Sequence, residues 1–298
     1  MIEAQIIADS VSASTGRRLT TFLLTYNRYV HSELLTHRVF ARNSASSRAI
    51  PVKTMLWNVW KNPAIPVRWG RTKKGMQDGG ELPRSVAAMC RAIWLLARYP
   101  ALLAAWLLVK LRLHKQVANR LLEPWCHMTV VLTGTEWKNF YKLRFHKDAQ
   151  PEFKVLAEAM LRAHAASEPK VLQPGEWHLP FWRWEDEQRL KARIDYPSMP
   201  DEDELQARLS VCTARCARTS YVNFYGKDSF YDDTRLHDNL NKSGHMSPFE
   251  HCCRAEVEDR FFGHVRAFVP YRKLIAKETH DDGSLFDPKK LLEELADA

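Results

Sequence analysis

At 298 residues, 45% apolar and 27% charged, the chain has globular rather than disordered composition and sits near the ~250–300-residue limit for one hydrophobic core. Its formal charge of +9 favours anionic partners, which leaves nucleic acid, phosphorylated metabolites and acidic membranes open. Six cysteines, at 90, 126, 212, 216, 252 and 253, lack paired zinc-site spacing and are too sparse for a disulfide scaffold, and Met1-Ile-Glu-Ala starts no secretory signal, so reduced thiols in a cytoplasm are expected.

In chain order, residues 3–8 and 18–26 alternate or run apolar around Ser14-Thr-Gly16 and predict two strands joined by a turn. A helix is expected from about Arg28 to Arg38, then a polar loop from Val39 to Pro51, where apolar periodicity is too thin for a core element. Residues 62–85, rich in Pro, Gly and charge, read as a long connection. Residues 85–122 predict helix, with Pro100 forcing a break or kink. The most apolar segment there, Tyr99 to Val109, falls short of the ~20 residues of a membrane span, so a buried helix and no membrane partner are expected, with interfacial association as the alternative. Another helix is predicted from about Thr135 to Ala166, interrupted near Pro151. Residues 167–204, rich in Pro, Trp and acid, read as a linker or lid, 205–223 and 233–244 as helices, and Ser247-Pro248 as a turn.

Three stretches could carry chemistry. His37-Arg38-Val-Phe-Ala-Arg42-Asn43-Ser44-Ala-Ser46-Ser47-Arg48 gathers guanidiniums and hydroxyls on a small-residue backbone, which suits phosphate and planar carbonyl recognition or a solvated basic loop. Trp137-Lys-Asn139-Phe140-Tyr-Lys-Leu143-Arg144, followed by Asp148-Ala149-Gln150, places a polar stripe beside an apolar one; an amphipathic surface helix with an Arg144–Asp148 pair is the plainer alternative. Gly244-His245-Met-Ser247-Pro248-Phe249-Glu250-His251 has two histidines but no further ligand at metal spacing, so helix capping is the plainer account and no metal is expected.

Together these stretches resemble the flavin-dependent thymidylate synthase superfamily, in which R-H-R is followed by S-x-N-x-x-S-x-R. Here Thr36-His37-Arg38 is followed by Ala41, Asn43, Ser46 and Arg48. Asn139-Phe140, Leu143-Arg144 and Ala149-Gln150 resemble the family's N-F-x-x-L-R and A-Q, and Asn119-Arg120-Leu-Leu-Glu-Pro124 resembles A-R-I-V-L-P. Cys216-Ala-Arg218-Thr-Ser220-Tyr221 and Gly244–His251 resemble A-R-x-S-[FY] and G-H-x-[ST]-P-F-E-H, which in the ordinary family precede the R-H-R loop. The resemblance therefore implies a permuted order, as in phage-type relatives, on a single α+β catalytic domain over 1–298, with an antiparallel sheet flanked by helices, 52–118 as a helical insertion and 167–204 as linker or lid.

The resemblance further implies FAD held by His37, Arg38, Asn43, Asn139, Ser220 and His251. A pyrimidine nucleotide such as dUMP would be held by Ser44, Ser46, Arg48, Arg120, Arg144 and Gln150, with Arg144, Ser46 and Glu33 in catalytic roles. NADPH and methylenetetrahydrofolate would be co-substrates and dTMP the product, in a homotetramer with shared sites in a cytoplasm, a phage host's among them. Thr36 and Ser44 depart from the family's Arg and Glu, and Glu33, one helical turn before His37, could supply the missing carboxylate. A 5-hydroxymethyl product is the alternative outcome. The rival enzyme chemistry uses a cysteine nucleophile, for which Pro124-Trp125-Cys126-His127 offers a poor match. A nucleic-acid-binding module would fit the charge and the ten tryptophans but not the ordered motifs, so nucleic acid is not the expected partner.

Overall fold

The computed structural model describes residues 1–194, 203–276, 278, 287 and 288. β1 (Glu3–Ser12) and β2 (Arg18–Asn27) form an antiparallel hairpin, and β2 pairs antiparallel with β4 (His127–Gly134). β4 in turn carries β3 (Ala41–Ser44) on its outer edge, and β5 (Lys170–Leu172) adds parallel to β1, so the sheet order is β3-β4-β2-β1-β5. A second sheet, order β10-β7-β6, is built from β6 (Trp177–His178), β7 (Cys253–Ala255) and β10 (Phe268–Pro270), and β8 (Phe261–Phe262) pairs with β9 (Val265–Arg266).

The helices are α1 (His31–Leu34), α2 (Val52–Lys61), α3 (Arg84–Lys110), α4 (Lys115–Ala118), α5 (Trp137–Arg144), α6 (Pro151–Ala166), α7 (Trp184–Lys191), α8 (Glu204–Ala217) and α9 (Phe230–Lys242). The mixture of antiparallel-rich sheets and helices is the expected α+β class. Strand alternation divides the main sheet's contacts between its two faces. Phe22, Leu24, Tyr26, Val130 and Leu132 pack with Trp137, Phe140, Phe153 and Leu156 of α5 and α6, while Leu23 and Val131 meet Phe181 and Cys216. Pro151 opens α6 at its first turn, where a missing N–H costs no helical hydrogen bond.

Four local expectations differ from the structure. The stretch expected as a polar loop contains β3, because Phe40, Ala41, Asn43 and Ala45 are buried and Asn43 and Ser44 pair with Val131 and Val130. The helix expected over 28–38 is only a 3-10 turn (Arg28–Val30) followed by α1. α3 runs unbroken through Pro100, and it is not a core helix: among its residues only Ala105 is buried. The stretch expected as linker or lid carries β5, β6 and α7 in its first part, with His178 and Leu190 buried; 195–202 lie outside the described residues.

Candidate functional site

A cleft of about 1140 Å³ opens between α1 and its following turn, the 145–150 turn and the 66–78 connection. Of the residues expected to hold cofactor or substrate or to act in catalysis, six line it: Glu33, His37, Arg38, Asn139, Arg144 and Gln150. The turn carrying His37 is seated by Phe40, whose ring lies so close to Gly134 that a Cβ there would stand 2.4 Å from it. Phe40 stacks on Trp137 at 4.5 Å, and His37 meets Phe140 edge-on at 5.0 Å.

Arg144 is the half-buried cation of this cleft. Its Nε donates to His37 Nε2 at 2.9 Å, and its Nη2 to the Glu33 carbonyl at 3.2 Å and Thr36 Oγ1 at 3.4 Å; the guanidinium sits 4.8 Å from the Phe153 ring centroid. The Arg144–Asp148 pair of the plainer surface-helix alternative does not form, and Asp148 instead lies 3.4 Å from His146. Arg144 is thus held by neutral acceptors, with no carboxylate in salt-bridge reach among the described residues. Burial pushes its pKa down, while the Glu33 charge works the other way. Burial, then Arg144 and Arg42, lower His37 to about 4, so its imidazole is neutral near pH 7 and free to accept at Nε2. Glu33 is raised by burial, opposed by Arg144 and reinforced by Glu152.

A second group lies where β3 meets the C-terminal third. The Ser46 N–H donates to the Ser220 carbonyl at 3.1 Å, and Asn43 Nδ2 to the Cys216 carbonyl at 3.4 Å. β3 also packs against the 3-10 turn Ser247–Glu250, so Asn43, Ser44, Ser46, Ser220 and His251 come from segments about two hundred residues apart into one neighbourhood. His251 is fully buried at the end of a hydrogen-bonded chain through the sheet: Ser10 Oγ to His178 Nδ1 (2.8 Å), His178 Nε2 to Thr21 Oγ1 (2.8 Å), Thr21 to Thr133 Oγ1 (2.7 Å), and Thr133 to His251 Nδ1 (2.7 Å). Burial lowers both His178 and His251 to about 3, so both rings are neutral and each hydroxyl chooses one tautomer. His251 Nε2 and Asn43 Oδ1 are buried without a partner.

Arg48, whose N–H donates to Ser46 Oγ at 3.3 Å, and Arg120 lie outside the cleft lining, both exposed, beside a rim organised by Glu123. That carboxylate accepts from Ser47 Oγ at 2.6 Å and Arg120 at 2.9 Å, and lies 3.0 Å from Arg28. Cys126, beneath this rim, is buried, donates to the Leu122 carbonyl and is pushed up to about 12 by burial, which leaves it a packed thiol rather than a nucleophile. Among the described residues no group of three or more His, Cys, Asp and Glu could hold a metal.

The sequence reasoning passed over Glu152 and Tyr29. Buried Glu152 accepts from Gln150, from the Tyr29 hydroxyl at 3.1 Å and from the Val67 N–H at 3.1 Å, so it anchors the 65–67 backbone to the cleft floor. Its place just after Pro151 in a helix's first turn was the available signal, because carboxylates there complement the helix dipole.

The sequence profile of the family described as thymidylate synthase complementing protein matches residues 18–170, just over half the chain. The match takes in the 36–48 and 139–150 motifs and leaves those at 216–221 and 244–251 outside it. No curated protein matches. Among solved structures, the UMP/dUMP methylase PolB from Streptomyces cacaoi, bound with 5-Br UMP, is 15% identical with a TM-score of 0.44 over 55% of this chain and 89% of that one. A second PolB structure, with 5-Br dUMP, is 16% identical with a TM-score of 0.43 over 55% and 90%. The flavin-dependent thymidylate synthase ThyX from Helicobacter pylori, complexed with FAD and dUMP, is 18% identical with a TM-score of 0.33 over 49% and 67%. With its profile match covering the cleft-forming half of the sequence, the chain belongs to the thymidylate synthase complementing protein family, that of the flavin-dependent thymidylate synthases.

Proposed function

We propose that the protein methylates dUMP at C5 to give dTMP, with FAD as its cofactor and methylenetetrahydrofolate and NADPH as co-substrates. The observation that carries this reading is Arg144, a half-buried guanidinium in a large cleft whose protein partners are all neutral. A cation so placed retains its attraction for a substrate anion. Charge developing on a pyrimidine C4 oxygen as C5 becomes nucleophilic is stabilised by such a preorganised donor, worth ~3–4 kcal/mol. Neutral His37 holds Nε of Arg144 without quenching its charge. Glu33 and Ser46 would act beside the ring, Ser44 and Gln150 would orient the base, and Arg48 and Arg120 would hold the phosphate.

The residues fit a flavin by their chemistry: Asn43 Oδ1 and His251 Nε2 are a buried acceptor and a buried ring nitrogen with unmet hydrogen bonds, suited to the amide-like edge of that heterocycle. His37, Arg38, Asn139 and Ser220 complete the set that would hold it. When bound, the flavin supplies the redox chemistry, and the protein supplies orientation and electrostatics. The Ser46–Ser220 contact supports a permuted motif order. Asn43, Ser46, Ser220, His251, Arg48 and Arg120 all lie outside the cleft lining, which supports sites completed between copies of a homotetramer.

One feature favours a second outcome. Thr36 stands where a cation is usual, and exposed His146, Lys147 and Asp148 border a wide cleft, so water could reach the reacting carbon and give a 5-hydroxymethyl nucleotide. The purified protein's spectrum tests the reading at its base: a yellow protein whose flavin absorption shifts on adding dUMP is expected. A colourless protein with tight, salt-sensitive DNA binding would overturn it in favour of a nucleic-acid-binding module.

A further inference from the structure

α3 carries a surface that the cleft does not use. It is docked on the body through one stripe: Ala105 is buried, Trp94 Nε1 donates to the Ala64 carbonyl at 3.0 Å, and the Trp94 carbonyl accepts from Trp125 Nε1 at 3.0 Å. Residues on a helix turn by ~100° each, which puts Met89, Ile93, Leu96, Leu103 and Leu107 on the opposite side. These five are 64%, 63%, 62%, 57% and 46% exposed. Tyr99 and Trp106 are exposed too, and the adjoining α2 adds exposed Trp57 and Trp60, their rings 5.2 Å apart.

The charge pattern around this face is one-sided. From Leu82 through Leu122 there is no Asp or Glu, whereas seven Lys or Arg fall in that span, with Arg84 at one end of α3 and Lys110 and Arg112 at the other. Lys110 Nζ lies 5.4 Å from the Trp106 ring, an arrangement of long cation and indole suited to a water–lipid boundary. By length and composition α3 could cross a membrane, with a mean hydropathy of 1.7 in its most apolar window. The docked stripe with its paired indoles fixes it instead to the folded body.

We propose that the outer face of α3, with Trp57 and Trp60 beside it, is a peripheral docking surface for an anionic lipid bilayer. Charge complementarity selects the bilayer over a second copy of this chain. Two copies joined through α3 would bring cations together with no carboxylate from 82 to 122 on either side to offset them, whereas acidic headgroups supply the missing anions. The exposed apolar stripe enters the acyl boundary and the basic ends of the helix remain at headgroup level. Tyr99–Val109 taken alone gave the expectation of a buried helix; its flanking turns lengthen the apolar face and the fold leaves that face open.

The test is co-sedimentation of the full chain with vesicles of phosphatidylcholine alone and of phosphatidylcholine mixed with phosphatidylserine. Binding to the mixed vesicles is expected, weakened ~10-fold or more by omitting phosphatidylserine, by high salt, or by the double variant Lys110→Glu, Arg112→Glu. The pair Ile93→Asp, Leu103→Asp, at exposed positions, should abolish binding with thermal unfolding unchanged. Failure to bind either vesicle overturns the proposal. So does a lipid-free assembly, seen by analytical ultracentrifugation, that the Ile93→Asp, Leu103→Asp pair reduces in mass, since the occupant would then be a second copy.

Discussion

Two arginines withdrawn from solvent show opposite uses of the same charge. Arg215 in α8 is fully buried, bonded to Asp186 at 2.5 and 2.9 Å and within 3.4 and 3.6 Å of Asp228 and Asp233. Arg218 also pairs with Asp233, so α7, α8 and α9 are cross-linked by ions. Burial acts to lower the Arg215 pKa, but its carboxylates more than reverse that, and the net shift is upward. Arg144 is also desolvated, yet its partners are an imidazole, a carbonyl and a hydroxyl, and its pKa is lowered. A neutralised cation locks helices together. A cation oriented by neutral groups keeps its field for a ligand.

The comparison breaks if the two positions respond alike. Arg215→Ala should cost ~3–5 kcal/mol of stability, because it removes a buried countercharge and leaves Asp186 to Arg183 and Asp233 to Arg218; urea denaturation measures it, and a change under 1 kcal/mol would show the network to be dispensable. Arg144→Gln should leave the urea midpoint almost unmoved and lower turnover by ~10²–10³-fold, the range for losing one preorganised oxyanion donor. Steady-state kinetics with intact circular dichroism would separate the two effects. Arg48→Ala and Arg120→Ala should each weaken nucleotide binding by ~1.5–3 kcal/mol, as charge-assisted phosphate contacts do, which calorimetry reads directly.

Acid should destabilise the fold through its buried histidines before it does so through Asp186. His37 and His164 are lowered to about 4 and His178 and His251 to about 3, chiefly by burial. A histidine lowered in the folded state is protonated preferentially when unfolded, so its stabilising contribution is complete above the unfolded value of 6.5 and is lost as pH falls from there toward 4 and 3. Asp233, raised to about 6 chiefly by burial, has the opposite sign, and Asp186 is held low by Arg215 and Arg183 against its burial, so it yields only at still lower pH. Melting temperature should therefore decline between about pH 6.5 and 4, and a flat profile there would contradict neutral buried histidines. The smallest effect is expected at Cys126→Ala, which should leave turnover nearly intact, since a thiol pushed up to about 12 carries almost no thiolate.

Much of this was legible in the sequence and some was not, for identifiable reasons. The β1–β2 hairpin followed from alternation, and α8 and α9 from helical patterning. β3 was hidden because Arg42, Asn43 and Ser44 are polar; they become a strand only because the edge of β4 has free hydrogen-bonding groups to pair with. The exposure of α3 was hidden for the reverse reason: an apolar helix reads the same whether its outer face is covered or open. The cleft set came from motif spacing in the 36–48 and 139–150 segments. Glu152 and Tyr29, which the tertiary fold delivers to the cleft floor, stood in no such pattern.

Mass spectrometry of the product formed from dUMP, methylenetetrahydrofolate, FAD and NADPH, by the wild-type protein and by Arg144→Gln, reads the reaction and the role of the cation together. A nucleotide heavier by a methyl group is expected with the wild type and little product with the variant. A hydroxymethyl gain would contradict the proposed reaction, and undiminished product from Arg144→Gln would contradict the role assigned to the unneutralised cation.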